Sequence, residues 1–272
     1  MNKGVIKKAI ILFVLVSAFF TVKAQDYVRP SGNYTAPETG TPIEGSKKFV
    51  LGISLGAAIP SGSFASTNVK NSFWDFNSTD STHLQGFAKT GFHFNITATY
   101  QFTDDFGLTL LLGNSSNPFD INAFSSAIGY PAGSQSSNFT TAEYLLGPCF
   151  SLPISNKFKF RVSLLAGIVT NNYPTIDVAL NDTTTYEVTF NGATNFAYSI
   201  GAGIIYNVTD NIAVQLNLNY TGTTITYTGW TGIYTINGGV YSYYPYTSNH
   251  PNDVTSMTAG LLKPTFGVEF KF

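Results

Sequence analysis

Charge is scarce in this chain of 272 residues: charged side chains make up 11%, where a soluble globular domain carries about 25%. The 14 Lys+Arg nearly cancel the 15 Asp+Glu, so no electrostatic footprint for a nucleic-acid partner exists. Cysteine is reduced to Cys149, which excludes a disulfide scaffold. Long apolar runs are missing beyond the N-terminus, and a helical membrane protein needs runs of about 18 residues. Histidine is limited to His83, His93 and His250, and no Gly-x-Ser-x-Gly elbow or metal-type His/Cys cluster is present. What is abundant is aromatic: 23 Phe and 16 Tyr, at a mean hydropathy of only +0.08. Aromatic and β-branched residues at this density exclude a disordered chain. Poor charge without overall greasiness, with many Gly and Thr, points to a β protein.

The N-terminus reads as an address. Lys3, Lys7 and Lys8 precede an apolar stretch from Ala9 to about Val22, and Val22-Lys23-Ala24 offers a small-residue cleavage site. This is the pattern of a secretory signal peptide over 1–24, with an apolar stretch short for a membrane span. Residues 25–46 carry Pro30, Pro37 and Pro42 and read as an extended leader. The folded domain is expected over 47–272.

From Lys47 onward large apolar residues occupy one parity and Gly, Ala, Ser, Thr, Asn or Gln the other. Phe49, Leu51, Ile53 and Leu55 oppose Val50, Gly52, Ser54 and Gly56. Phe92, Phe94, Ile96, Tyr100 and Phe102 oppose His93, Asn95, Thr97, Thr99 and Gln101. Phe106, Leu108, Leu110 and Leu112 oppose Gly107, Thr109 and Gly113. Tyr144, Leu146, Phe150 and Leu152 oppose Thr141, Glu143, Gly147 and Ser151. Phe158, Phe160, Val162, Leu164 and Ile168 oppose Lys159, Arg161, Ser163 and Gly167. Phe196, Tyr198, Ile200, Ile204 and Tyr206 oppose Asn195, Ser199, Gly201 and Gly203. Ile212, Val214, Leu216, Leu218 and Tyr220 oppose Gln215, Asn217 and Asn219. Phe266, Val268, Phe270 and Phe272 oppose Thr265, Gly267, Glu269 and Lys271. Period two over eight segments of about ten residues is a strand signal.

Volume decides which face is inside. An eight-stranded barrel encloses only its own side chains or one small ligand. About five large apolar residues from each strand would overfill it. The small polar face fits, so the large apolar face points outward and requires lipid. A soluble lipocalin-like barrel would show the reverse size distribution. Connection lengths agree. Thr103 to Asp105, Pro153 to Asn156 and Thr209 to Asn211 are tiny turns, whereas 61–86, 114–138, 171–192 and 222–253 are long. Short turns at one rim and long loops at the other is the asymmetry of outer-membrane barrels. Aromatics fall near both rims, where amphipathic rings sit at headgroup level. The alternation in Thr185 to Phe190 and Thr223 to Thr228 predicts hairpins that project past the bilayer. The fold class expected is all-β: an eight-stranded antiparallel up-and-down transmembrane barrel.

On these segments, and on the terminal run Thr265-Phe266-Gly267-Val268-Glu269-Phe270-Lys271-Phe272, the chain resembles the small OmpA/OmpX-type outer-membrane barrels. The resemblance covers residues 47–272 and rests on architecture. It implies eight strands with mobile outer loops, and a last strand, through Gly267, Phe270 and Phe272, that the outer-membrane barrel assembly machinery recognises. It also implies a monomer surrounded by outer-membrane lipid and lipopolysaccharide, with both termini periplasmic. The Ala24-Gln25 junction resembles secreted proteins of the Bacteroidota. The larger relatives add a peptidoglycan-binding domain to the barrel, and none is expected here after Phe272.

Charges expected on the inward face are Lys89, His93, Glu143, Lys159, Arg161, Glu269 and Lys271. An unpaired charge inside a barrel is costly, so they read as a self-neutralising lumen network. A gated pore with an Arg161–Glu269 latch is the functional alternative. Asp80 near His83 and Asp253 near His250 raise a hydrolase reading, set aside because such short-range pairs occur by chance. No catalytic residue, cofactor or metal is called for. The loop 222–253 holds Trp230, Tyr234, Tyr241, Tyr243 and Tyr244, which suit a surface contact with an extracellular ligand. They suit hairpin pairing equally. The expected role is structural or adhesive, through the outer loops around a filled lumen. A narrow passive channel for small solutes or apolar molecules is the runner-up.

Overall fold

The computed structural model describes residues 48–75, 82–134, 138–238, 241–242 and 246–272. The expected signal peptide and leader lie outside the described residues, as do Asp80, Tyr243 and Tyr244. The strands are β1 (Phe49–Ser61), β2 (Gly91–Gln101), β3 (Phe106–Asn117), β4 (Ala132–Ser134), β5 (Phe139–Pro153) and β6 (Phe158–Asn172). They continue as β7 (Ile176–Asn181), β8 (Thr184–Phe190), β9 (Ala193–Asn207), β10 (Ile212–Gly238), β11 (Tyr241–Ser242) and β12 (Tyr246–Lys271). Among the described residues an α-helix, α1 (Ile121–Ile128), lies between β3 and β4, and a short 3-10 turn (Gly62–Phe64) follows β1. Among the described residues, eight strands pair in the cyclic order β1-β2-β3-β5-β6-β9-β10-β12, and β12 returns to β1. All these pairings are antiparallel, so the chain forms an eight-stranded up-and-down barrel.

The registers fix the barrel's dimensions. A row of partners runs from Glu269 through Gly52, Thr97, Leu111, Leu145, Gly167, Ala197 and Thr223 to Ala259. It returns to β12 ten residues from where it left, a shear of ten. With eight strands spaced about 4.8 Å and rising about 3.3 Å per residue, that shear tilts them about 41°. On β9 the outward residues from Phe196 to Tyr206 then span about 25 Å of height, the thickness of a lipid-facing band.

The outer surface has the composition lipid requires. Leu55, Phe92, Leu146, Phe196, Ile200 and Leu216 each expose at least half of their surface. Their inward neighbours Ser54, Asn95, Thr99, Thr109 and Ser199 are buried. Aromatics cluster at the short-turn rim, where Phe49 meets Phe272, Phe102 meets Phe106 and Phe158 meets Tyr206. Phe92, Tyr144, Tyr198 and Tyr220 crown the other end. Closure leaves no wall strand with an unpaired edge inside the lipid, where each orphan backbone group costs several kcal/mol.

Beyond the long-loop rim the described residues form further strands and a helix. The upper halves of β10 and β12 continue as a hairpin, and β8, β7 and β4 add to its β10 side. One face of this sheet, with α1 and the segments after β1 and β6, encloses an aromatic core that includes Phe64, Trp74, Phe124, Phe139, Tyr173 and Tyr227. Trp74 meets Phe124 edge-on at 4.9 Å, and Phe139 meets Tyr173 edge-on at 4.8 Å. Asp120 caps α1 by accepting from the Ala123 amide at 3.1 Å, and Gly129 closes the helix with φ 76°.

The transition from wall to cap sits at Gly229, whose φ of 85° suits glycine. The β10–β12 register shifts between Thr228 and Trp230. Asn191 holds the kink, its Nδ2 donating to the Thr228 carbonyl at 2.9 Å. A bulge of this kind exchanges the two faces of a strand. Below it Ile225 and Tyr227 face inward; above it Trp230 and Tyr234 pack against the cap core.

Candidate functional site

Two layers of charge cross the lumen. In the layer near the short-turn rim, Arg161 on β6 donates through Nη1 to Glu269 Oε1 on β12, and through Nη2 to Oε2 at 3.3 Å. Its Nε donates to Ser151 Oγ at 3.3 Å. The Arg161 and Glu269 side chains are 13% and 1% exposed. Lys271 donates to Asn207 Oδ1 beside them. Lys159 is half-buried one inward position below Arg161, with no ion pair to another described residue.

The second layer centres on a residue that the sequence reading omitted. Lys263 on β12 donates from Nζ to Glu143 Oε1 on β5 at 2.6 Å and to Thr221 Oγ1 on β10 at 2.6 Å. The Lys263 and Glu143 side chains are 1% and 0% exposed. His93 lies alongside, its Nδ1 2.9 Å from Ser115 Oγ and its Nε2 3.1 Å from Asn95 Nδ2. Gly113 makes this crowding possible: a Cβ there would stand 3.1 Å from His93 and 3.3 Å from the Glu143 carboxylate. Lys263 has the inward parity of Thr265, Gly267 and Glu269. The signal was available, but Pro264 reads as a strand boundary. The structure absorbs the proline: the ladder to β1 lapses opposite Ala57 and Ala58 and resumes at Leu262 in the same register.

Between the layers one side of the lumen is apolar, while the β1, β10 and β12 side keeps polar residues such as Ser54, Gln215 and Thr265. Leu111, Leu145, Leu165, Val169 and Ala197 form a buried cluster on β3, β5, β6 and β9. Leu165 lies between Arg161 and Val169 along β6, and Val169 is the direct partner of Glu143. Lys89, expected inward, instead stands outside the lumen, 58% exposed and 3.8 Å from Asp120.

Above the lumen lies the aromatic core of the cap. Trp74 Nε1 donates to Tyr173 Oη at 3.2 Å, Tyr173 Oη donates to the Gln85 carbonyl at 2.8 Å, and Tyr227 Oη donates to Asn171 Oδ1. Burial pushes the Tyr173 phenol above the ordinary range for tyrosine, partly offset by its Trp74 bond. Burial and then the neighbouring Tyr234 do the same to Tyr186.

Trp230 and Tyr234 are half-buried. Trp230 meets Phe73 edge-on at 5.2 Å and stacks on His250 at 4.0 Å, and Tyr234 stacks on Tyr186 at 4.2 Å. Tyr241 pairs through β11 with β10. Gly267 and Phe270 lie at the end of the closing strand, and Phe272 directly follows it. His250 Nδ1 is 3.0 Å from Asp253 Oδ2, both on the outer part of β12. His83 bridges to Ser256 through its backbone. Among the described residues, no group of three or more His, Cys, Asp or Glu side chains could hold a metal.

No protein-family model and no curated protein matches the chain. Among solved structures it is similar to the outer membrane protein OprG from Pseudomonas aeruginosa, at 12% identity and a TM-score of 0.43, covering 84% of this chain and 96% of that one. It is similar to a major outer membrane protein from Thermus thermophilus, at 12% identity and 0.42, covering 82% and 99%. It is similar to Neisserial surface protein A, at 15% identity and 0.41, covering 84% and 98%. Scores at this level add nothing to the strand ring, which the registers establish. Eight strands, a shear of ten, a lipid-facing band of about 25 Å and one short-turn rim make the fold that of small outer-membrane β-barrels.

Proposed function

We propose that this chain is an outer-membrane anchor whose work is done by its folded cap: the barrel is a sealed post, and the cap sheet is a rigid surface-contact platform. The observation that carries this reading is the β10–β12 hairpin. It runs from the barrel wall into a sheet with its own aromatic core, over a lumen crossed by two charge layers and a leucine cluster. A wall built for passage would not bury Lys263, Glu143, Arg161 and Glu269 in mutual contact. The short turns face the periplasm and the cap faces the medium, in keeping with the rim asymmetry of this fold. The terminal strand with Gly267, Phe270 and Phe272 serves recognition by the assembly machinery, and lipopolysaccharide surrounds the outer aromatic rim.

Two measurements test the platform. Folded barrel in a planar bilayer is expected to give no discrete conductance steps. Cells displaying a chain in which 230–250 is replaced by a tight turn are expected to lose surface binding while heat-dependent gel mobility still reports a folded barrel. Discrete steps from the full chain would replace this reading with a narrow passive channel. No hydrolytic role is assigned: His250→Ala is expected to leave envelope hydrolysis unchanged.

A further inference from the structure

We infer that the solvent face of the cap sheet docks a cationic polypeptide segment, Lys- or Arg-rich; this rests on the platform reading above and names its partner's chemistry. The face away from the aromatic core presents Thr189 and Thr231 as direct partners, and below them a row of Asp177, Glu187 and Ile233. Asp177 and Glu187 stand directly opposite each other on β7 and β8. Directly opposite side chains on antiparallel strands have Cβ atoms about 4.5–5.5 Å apart, and like charges placed there oppose folding. No basic side chain among the described residues pairs with either. Nor could one come from this part of the chain: no lysine or arginine occurs between Arg161 and Lys263, a stretch that includes all of β7, β8 and β10.

The row has the amphipathic character of the side chain it would receive. Ile233 is the direct partner of Glu187 on β10 and half-exposed, so an apolar seat adjoins the two carboxylates. A lysine or arginine lays its methylene stem on such a seat and its charged head on the acids. At the other end of the row, Gly133 on β4 opposes Asp177, and the space where its Cβ would be is open. The flanking threonine hydroxyls accept hydrogen bonds from ammonium or guanidinium donors. Asp182, at the β7–β8 turn, extends the same sign of charge. Because the acids sit in strand register on a sheet backed by a packed core, the face is preorganised, and binding costs little ordering.

The test uses the full chain in lipid nanodiscs and fluorescent octalysine as probe, with octaglutamate as control. Octalysine is expected to bind saturably near 50 mM salt and to weaken about tenfold by about 300 mM, as screening demands. D177N/E187Q is expected to weaken binding about tenfold while raising the unfolding midpoint, since a like-charge pair is removed. D104N/D105N, the same change in charge at the opposite rim, is expected to bind as the parent does. Equal binding by D177N/E187Q, equal losses in both variants, or no saturable octalysine binding at low salt would overturn the inference. Cap-dependent cell binding that persists without octalysine binding would sink this inference alone. Cell binding that survives removal of the cap would sink the platform reading itself.

Discussion

Lys263 illustrates what a single buried charge does in this barrel. Its ammonium has Glu143 and Thr221 as partners and almost no access to water. Replacing it with methionine leaves the Glu143 carboxylate buried without compensation, a cost of about 3–5 kcal/mol. Urea unfolding in vesicles should show that loss for Lys263→Met, and should show most of it recovered in K263M/E143Q, where no charge is stranded. If both variants lose equally, packing rather than charge governs the layer. Cys149 makes a second residue-scale reporter. It is 1% exposed on the inward face between the strands that carry Ser163 and Gly107. Its thiol should resist a water-soluble maleimide in the folded barrel and react once urea unfolds it. Rapid labelling of folded protein would mean that the lumen is wet and open at that depth.

The elements of the cap depend on ends and kinks more than on length. Helix α1 has eight residues, too few to persist without its Asp120 cap and its packing through Phe124. Asp120→Ala should cost about 1 kcal/mol, and it should appear as faster proteolysis within 121–134 while the barrel band on a gel is unchanged. The bulge at Gly229 sets which face of the hairpin Trp230 and Tyr234 occupy. The alternation of Thr223 to Thr228, carried straight on, would put Trp230 and Tyr234 on the outer face. Across the bulge the buried positions change parity, and both residues pack against the cap core instead. Alternation is visible in residue types; the place where a ladder changes register is not.

At the scale of the whole molecule, barrel and cap differ in what holds them. Lipid and closed backbone ladders hold the wall. The cap depends on buried rings, and its phenols tie it to pH. Tyr173 and Tyr186 hold their protons more tightly when folded than a free phenol does. A group with a raised folded pKa lends stability that is complete below its unfolded pKa, about 10 for tyrosine, and drains away as pH rises above it. The cap should therefore lose near-ultraviolet circular dichroism as pH climbs past about 10, while barrel gel mobility persists. Phenolate absorbance from these two tyrosines should appear only with that loss. Phenolate formation without any change in dichroism would show that water already reaches the cap core.

The residues by themselves determined the barrel. Strand alternation is written in side-chain size, and the volume of an eight-strand lumen then dictates which face meets lipid, so wall, girdles and rim asymmetry were all legible in the chain. The charges at Arg161 and Glu269 were legible too, because inward parity leaves few places for them. Tertiary structure alone decided the pairing of Lys263 with Glu143, the reversal at Gly229 and the enclosure of the loops around Trp74, Tyr173 and Tyr227. Each depends on contacts between segments far apart along the chain, where the alternation of neighbouring residues carries no information and packing in three dimensions sets the partner.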